Sequence, residues 1–305
     1  MSIVDPSPPE APAWFEAALE QAPEVLRVPV DGAEIEVLAW GERGRPGLLL
    51  MHGFLCSADW WRFTAPLLAR DFRVAALSWS GMGGSGWRES YSFDLMAEEA
   101  MAAAQAAGLF EAKARPVFVG HSFGTLPLMV LADRYGERLG GVAAVETLLQ
   151  IGTDQRASRP DPAPYRDFAT REEAMARFRV SPPAPLAPPW VIRFLADRAV
   201  QEAPAPGGGS RWLLGGDRDL SRKTLRRSLV DHFSAIRRPL LMITGTESGM
   251  FEGEGKAWLR EREPPQTVWI DMPGAGHFPM LDQPLALVDH LRAFALDCVA
   301  REARR

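Results

Sequence analysis

Val119-Gly120-His121-Ser122-Phe123-Gly124 contains the pattern G-x-S-x-G. The apolar run 116–119 is typical of a buried strand, and residues 125–135 favour a helix. A serine in this pattern between a strand and a helix lies on a sharp, strained turn, with its hydroxyl clear of the chain. The first backbone N–H groups of the helix point at the same place, where they can stabilise negative charge. The sequence therefore predicts that Ser122 is a nucleophile.

Three further motifs accompany this turn. His52-Gly53-Phe54 follows the apolar run 47–51, and Gly274-Ala275-Gly276-His277 follows the strand-like run 267–272. Between His52 and the serine turn lies Leu77-Ser78-Trp79-Ser80-Gly81-Met82-Gly83-Gly84-Ser85. In this order the motifs resemble those of the α/β-hydrolase superfamily. In that superfamily the segment that corresponds to residues 78–85 usually reads D-x-x-G-x-G-x-S. Ser78 stands here at the aspartate position.

The alternation of short apolar runs with helical ones predicts an α/β fold, and the resemblance implies the α/β-hydrolase fold. The central sheet should be mostly parallel, with helices on both faces. An Asp31-Gly32 turn between two strand-like runs also predicts a hairpin near the N-terminus. The strand-like runs lie at 48–51, 72–77, 116–119 and 141–145, and the helical runs at 59–70, 93–107 and 123–135.

Residues 148–237 interrupt this alternation with clusters of proline, which removes the donors that strands and helices need. In the α/β-hydrolase family a helical lid is inserted at this place over the active site. The apolar spacing of residues 190–195 indicates a helix that is buried on one side. We therefore predict a core formed by residues 1–147 and 238–305, with residues 148–237 inserted as the lid.

A nucleophilic serine needs a base, and the base needs an acid that orients it. His277 is the predicted base, because its glycine-rich loop can bend back over the serine turn. His52 and His121 belong to tight turns, where we expect local hydrogen bonds, and His232 and His290 lie in helical segments. No spacing of His and Cys indicates a metal site, and no cofactor is predicted.

The acid departs from the common family pattern. Most superfamily members carry an aspartate in a G-x-x-D turn after the lid, but here the turn reads Gly245-Thr246-Glu247-Ser248. A serine cannot stabilise the charged imidazole that forms during catalysis. Glu146, at the end of the apolar run 141–145, is the predicted acid, with Glu247 as the reserve candidate. This placement resembles that of some haloalkane dehalogenases and some Ser-His-Glu lactonases.

A serine nucleophile narrows the reaction to acyl chemistry, because its alkoxide would form an ether with a haloalkane or an epoxide. We predict an apolar carboxylic ester or lactone as substrate, and the backbone N–H groups of Phe54 and Phe123 as the oxyanion hole. Large apolar residues of the core and the insertion are the predicted substrate pocket: Trp60, Trp61, Trp79, Met82, Trp190, Phe194, Trp212 and Met250.

Three other functions remain open from the sequence. A C–C bond hydrolase of ring-cleavage products would use the same serine and histidine, although it usually keeps its acid in the G-x-x-D turn. Cofactor-free oxygenase chemistry is also known on this fold. A ligand-binding receptor with an inactive triad is the alternative from another class.

Composition places the chain among ordinary globular proteins. Its 305 residues are 47% apolar and 24% charged, with a formal net charge of −5, which argues against a nucleic-acid partner. The two cysteines, Cys56 and Cys298, are far apart, so that a reducing compartment is expected. No apolar run approaches the ~20 residues that span a bilayer. We expect a soluble cytoplasmic protein, and the sequence gives no indication of an oligomer.

Overall fold

The computed structural model describes residues 10–147, 167–204, 208–225, 228–249 and 255–304. The strands are β1 Glu24–Val30, β2 Ala33–Trp40, β3 Gly47–Met51, β4 Arg73–Leu77, β5 Tyr91–Ser92, β6 Val117–His121, β7 Gly141–Val145, β8 Asp167–Phe168, β9 Val200–Pro204, β10 Ser210–Leu214, β11 Thr224–Leu225, β12 Leu240–Gly245 and β13 Thr267–Met272. The helices are α1 Ala13–Leu19, α2 Ala65–Leu68, α3 Phe93–Ala106, α4 Thr125–Tyr135, α5 Arg171–Arg177, α6 Pro189–Ala199, α7 Leu220–Lys223, α8 Val230–Ala235, α9 Gly255–Arg260, α10 Pro279–Asp282 and α11 Pro284–Ala303.

Within these ranges the central sheet has eight strands in the order β1-β2-β4-β3-β6-β7-β12-β13. The hairpin of β1 and β2 is antiparallel and turns at Asp31-Gly32, as predicted, and β2 pairs antiparallel with β4. From β4 to β13 all neighbours are parallel. The carboxyl ends of β6, β7, β12 and β13 therefore lie side by side at one edge of the sheet.

The parallel strands are buried on both faces. Leu49 and Met51 of β3 pack with α3, α4 and α8, whereas Leu48 and Leu50 pack on the opposite face with α1, α2, α6 and α11. Successive side chains of a strand point to opposite faces, so a strand between two helical layers must be apolar throughout. The predicted mostly parallel α/β fold is confirmed.

The predicted helix 59–70 differs from the structure. A 3-10 turn covers Ala58–Trp61, and the short helix α2 begins anew at Ala65. Pro66 lies in the first turn of α2, where its missing N–H group is tolerated, but it could not continue a helix from before. The apolar pattern continues through both pieces, so it does not reveal the break.

The insertion 148–237 is described from Asp167 onward, apart from residues 205–207 and 226–227. It contains helices α5 to α8 and also an antiparallel sheet of three strands in the order β8-β10-β9. The prediction of a helical lid did not include this sheet. Gly208 and Gly209, with φ of +101° and +82°, lie between β9 and β10. The predicted buried side of helix α6 is confirmed by Val191 and Leu195.

A buried polar network attaches the insertion to the core. β11 pairs in parallel with β5, and the Tyr91 hydroxyl donates to Asp217 Oδ2 (2.9 Å). Lys223 Nζ pairs with the same oxygen (2.8 Å), and the Asp217 N–H group donates to the Gly81 carbonyl (2.6 Å).

No helix among the described residues is long and apolar enough to cross a membrane.

Candidate active site

The turn at Ser122 follows β6 directly and has the strain that the motif predicts. Ser122 has a φ of +48°, a left-handed conformation that L-residues adopt rarely and mainly at functional sites. A Cβ on Gly120 would lie 2.8 Å from the Gly124 carbonyl oxygen, and a Cβ on Gly124 would lie 2.6 Å from the His52 carbonyl oxygen. Only glycine fits these two positions, because strand and helix cross so closely.

Ser122, His277 and Glu146 form a continuous line of hydrogen bonds. His277 Nε2 lies 3.0 Å from Ser122 Oγ, and His277 Nδ1 lies 3.3 Å from Glu146 Oε2. The Glu146 side chain has no exposed surface, and that of His277 is 8% exposed. With Nδ1–H donating to the carboxylate, Nε2 is the acceptor for the serine hydroxyl. The structure thus brings together the three residues that the sequence predicted as catalytic.

The Glu146 carboxylate is held by groups from the turn after β12. The Gly245 N–H group donates to Glu146 Oε1 (2.6 Å), and the Ser248 hydroxyl donates to Oε2 (2.5 Å). Glu146 itself has a φ of +53°, and its N–H group donates to the Ile243 carbonyl (2.8 Å). Ser248, at the usual aspartate position, therefore donates to the carboxylate of the predicted acid. This contact could not be predicted from the sequence.

The reserve acid Glu247 lies outside this line. Its side chain is exposed, and its Oε1 accepts a hydrogen bond from the Thr246 hydroxyl (3.3 Å). Within the described residues its carboxylate makes no contact with His277, whereas its N–H group donates to the Ala275 carbonyl in the His277 loop (2.9 Å). Its connection to that loop is made by the backbone.

The two other histidines near the turn are buried and act as neutral hydrogen-bonding groups. His121 Nε2 contacts the His277 carbonyl oxygen (2.8 Å), and burial with the neighbouring His277 lowers the His121 pKa to about 3. His52 Nδ1 contacts the Gly53 carbonyl (2.7 Å), while its Nε2 accepts from the Trp79 N–H group (3.0 Å). Burial lowers the His52 pKa to about 4. The expectation of a local partner is confirmed for His52 Nδ1 and wrong for His121, which fixes a loop 156 residues away in sequence.

The Gly53-Phe54 turn lies directly beside the serine. A Cβ on Gly53 would be 3.4 Å from Ser122 Cβ, and the rings of Phe54 and Phe123 have centroids 5.7 Å apart. Phe54 is 38% exposed and Phe123 is buried. The two residues predicted to supply the oxyanion hole therefore flank Ser122 from two separate turns. That function stays a prediction.

Four of the predicted pocket residues belong to the core. Trp60, Trp61, Trp79 and Met82 are buried, and the Trp79 indole N–H donates to the His52 carbonyl (3.1 Å). The Trp60 ring lies 5.2 Å from that of Phe278, the residue after His277. Contact of any of these side chains with a substrate stays a prediction.

The insertion supplies Trp190, Phe194 and Trp212. Trp190 and Phe194 are partly buried, and their ring centroids lie 4.5 and 5.8 Å from that of Phe15 in helix α1. Trp212 pairs with Phe168 in the small antiparallel sheet. Met250 lies outside the described residues. Helix α1, near the N-terminus, thus packs against the predicted lid helix α6.

Two further contacts at the site carried no signal in the sequence. The Thr125 hydroxyl donates to the Ser122 carbonyl (2.6 Å) and also contacts the hydroxyl of Thr147, the residue after Glu146. Asp282 Oδ2 accepts from the Gly276 N–H group (2.8 Å), and burial raises the pKa of that carboxyl group. Within the described ranges, no group of His, Cys, Asp and Glu side chains is arranged to hold a metal ion.

Comparison with known proteins identifies relatives of this chain. A family model described as the alpha/beta hydrolase family matches residues 48–290. The bifunctional epoxide hydrolase 2 of Sus scrofa is 34% identical over 106 residues, which cover 33% of this chain and 18% of that protein. Epoxide hydrolase A of Mycobacterium tuberculosis is 30% identical over 149 residues, 48% of this chain and 44% of that protein. The chain thus spans less than half the length of these curated relatives.

Solved structures share the fold over nearly the whole chain. A novel esterase from Mycobacterium tuberculosis superposes with a TM-score of 0.71 at 24% sequence identity, covering 93% of this chain and 97% of that chain. At this identity the likeness concerns the architecture.

Proposed function

The chain belongs to the α/β-hydrolase family, and we propose that it is a serine hydrolase that cleaves a carboxylic ester or lactone through an acyl-enzyme. The observation that carries this proposal is the hydrogen-bonded line from Ser122 through His277 to the buried Glu146. A serine with a histidine and a carboxylate in this order is the arrangement that activates a hydroxyl for acyl transfer.

In the first half of the reaction, Ser122 Oγ attacks the carbonyl carbon of the substrate while its proton moves to His277 Nε2. Glu146 stabilises the imidazolium and holds its ring orientation through Nδ1–H. The oxyanion of the tetrahedral intermediate is stabilised by the N–H groups of Phe54 and Phe123, and each such donor contributes about 3 kcal/mol in enzymes of this kind. The bond from the carbonyl carbon to the leaving oxygen then breaks, and this oxygen takes the proton from Nε2.

In the second half, water replaces the leaving alcohol. His277 Nε2 takes a proton from water, the hydroxide attacks the acyl carbon, and Ser122 leaves with the proton returned from His277. For a lactone the alcohol stays attached to the acyl chain, so one hydroxy acid is the product. Each proton transfer needs only the side chains of Ser122, His277 and Glu146.

Epoxide hydrolysis, the activity in the names of two relatives, is opposed by the nucleophile. Attack of a serine alkoxide on an epoxide carbon forms an ether, which water at His277 cannot cleave, so the enzyme would stop after one turnover. An acyl group on Ser122 is an ester, which water cleaves by the same chemistry that formed it. The serine therefore favours acyl transfer.

The test is hydrolysis of p-nitrophenyl esters of short and medium chain length by wild type and Ser122→Ala, with Ser228→Ala, an exposed serine of the insertion, as the matched control. We expect Ser122→Ala to lower kcat by roughly 10⁴-fold or more and the control to resemble wild type. An organophosphonate should add covalently to wild type and to the control only, as read by intact mass. Equal activity of all three proteins would assign the reaction to another nucleophile.

A further inference from the structure

The insertion has a charge opposite to that of the rest of the chain. Residues 148–237 contain 15 Lys and Arg against 10 Asp and Glu, whereas the whole chain contains 34 against 39. The insertion is therefore at +5 and the remainder at −10, although the net charge of −5 is mild. A locally positive segment on an acidic protein attracts anions.

Part of this charge surrounds a pocket within the insertion. The pocket has a volume of about 280 Å³ and is lined by Phe168, Arg177, Arg179, Leu214 and Arg218. The arginines come from the end of α5, the segment after it and the loop after β10, while the two apolar residues come from the small sheet. A molecule in liquid water takes up about 30 Å³, so the pocket has room for a charged group of a ligand and part of the ligand's carbon chain.

Two aspartates of the insertion are paired with other cations. Asp167 pairs with Arg211 (3.0 Å), and Asp197 pairs with Arg171 (2.5 Å). Arg179 Nη1 donates to the carbonyl groups of Ala176 and Phe178 (2.8 and 2.6 Å), which neutralises none of its charge. In the described part of the chain, no carboxylate lies within ion-pair distance of Arg177 or Arg179.

One wall of the pocket is connected to the predicted oxyanion turn by a short run of residues and one side-chain contact. Leu214 is two residues from Gly216, so their Cα atoms are at most about 7 Å apart. A Cβ on Gly216 would lie 3.2 Å from Leu55 Cδ2, and Leu55 directly follows Phe54. The strand that forms one wall of the pocket thus leads to the turn beside Ser122.

We propose that this pocket binds a carboxylate or phosphate group at the far end of the substrate, so that the preferred ester or lactone is anionic. Guanidinium groups match the oxygens of both anions in charge and geometry, and Phe168 and Leu214 provide apolar surface for the adjoining carbon chain. The identity of the substrate rests on the proposed hydrolase function, whereas binding of the anion does not. This inference changes the expectation of an uncharged apolar substrate.

The test compares two esters of equal chain length, mono-p-nitrophenyl adipate, which is anionic, and p-nitrophenyl hexanoate, which is neutral. The double variant Arg177→Gln/Arg179→Gln is matched by Arg193→Gln/Arg198→Gln, which removes the same charge from exposed positions of α6. Hydrogen bonds to charged groups contribute about 1.5–3 kcal/mol, which corresponds to roughly 10–150-fold. We expect the ratio of kcat/KM for adipate over hexanoate to fall by that factor in the pocket variant only. An equal ratio in both double variants would overturn the proposal.

Binding measurements separate this proposal from the hydrolase function. Isothermal titration of Ser122→Ala protein with adipate and with inorganic phosphate at low salt needs no turnover. We expect binding of at least one anion that Arg177→Gln/Arg179→Gln abolishes and that weakens as salt is added. Tighter adipate binding would assign a carboxylate, and tighter phosphate binding a phosphate. Binding without ester hydrolysis by wild type would support the pocket and contradict the hydrolase, whereas hydrolysis without binding of either anion would contradict the pocket alone.

Discussion

At the scale of the residue, the carboxylate that contacts His277 belongs to Glu146, directly after β7, and β7 is the neighbour of β12, whose following turn usually carries the aspartate in this family. The predicted acid Glu146 is buried and hydrogen-bonded, while Glu247 is exposed. Both are glutamates near the same edge of the sheet. The same substitution at each position therefore shows which of the two carboxylates the reaction needs.

Glu146→Gln keeps the shape of the side chain and removes its charge. We expect kcat to fall by roughly 10³–10⁴-fold with a smaller change in KM, because an uncharged partner no longer stabilises the imidazolium or its orientation. Glu247→Gln should stay within about twofold of wild type by the same assay. A large loss in Glu247→Gln together with a small one in Glu146→Gln would move the acid to position 247.

The contact of Ser248 with Glu146 makes a second-site rescue possible. Ser248 Oγ lies 2.5 Å from the carboxylate oxygen that contacts His277, so an aspartate at 248 can reach His277 Nδ1. In Glu146→Gln/Ser248→Asp we expect kcat about tenfold or more above that of Glu146→Gln alone. Ser248→Asp on its own places two carboxylates together and should lower stability, as read by the urea midpoint. A double variant no faster than Glu146→Gln would show that position 248 cannot supply the acid.

Part of this site could be predicted from residue types alone. Ser122 and His277 stand in motifs with distinctive neighbours, and Glu146 follows a clear apolar run. The support by Ser248, the bond from His121 to the His277 carbonyl and the position of Asp282 could not be predicted. Each of these contacts depends on how separate segments of the chain are arranged relative to each other. The spacing of residues within one segment carries no information on that arrangement.

At the scale of the element, the core strands were predictable and the insertion was not. A strand buried on both faces must be an apolar run, so β3, β4, β6 and β7 were located within two residues at each end. Strands β8 and β9 are partly exposed, and β8 pairs with β10 across a chain segment that contains helices α5 and α6. Their residues show neither an apolar run nor a regular alternation, and proline clusters around them hide the pairing.

The attachment of the insertion through Asp217 makes a prediction about stability. Asp217 is 1% exposed and accepts from Tyr91 and Lys223. Asp217→Asn keeps its shape but gives it an N–H₂ group facing two donors, so we expect a loss of about 2–3 kcal/mol in the free energy of unfolding, measured in urea. Asp231→Asn, at an exposed position of the insertion, is the control and should change stability by less than about 0.5 kcal/mol. Equal midpoints for the two variants would show that the network contributes nothing to folding.

At the scale of the whole molecule, the parallel order of β6, β7, β12 and β13 gathers residues from the middle and the end of the chain at one edge. This outcome follows from topology, since the carboxyl ends of parallel strands meet, and it made the site predictable before any contact was known. The same edge also buries two histidines that take no part in the proposed proton transfer. Burial lowers the pKa of His52 to about 4, and burial with His277 lowers that of His121 to about 3.

These two histidines make the free energy of unfolding depend on pH in a definite direction. A histidine in the unfolded chain has a pKa of about 6.5, so between pH 6.5 and 4 the unfolded state binds more protons than the folded state. Their contribution to stability is complete above pH 6.5 and is lost as the pH falls toward the folded values. Glu99 and Asp282, whose pKa values burial raises, contribute in the opposite direction. Because that opposing contribution is present in every variant, a comparison of variants isolates the histidines.

His52→Gln removes one of these groups and should flatten the pH dependence. We expect the stability advantage of wild type over His52→Gln, measured by urea unfolding, to shrink by about 1.4 kcal/mol for each pH unit between 6.5 and 4, because a single proton is involved. His290→Gln, in helix α11 and only partly buried, is the matched control, and its curve should run parallel to that of wild type. A His52→Gln curve equally parallel to wild type would mean that the buried imidazole binds its proton as readily in the folded as in the unfolded chain. Burial would then be ruled out as the cause of acid sensitivity.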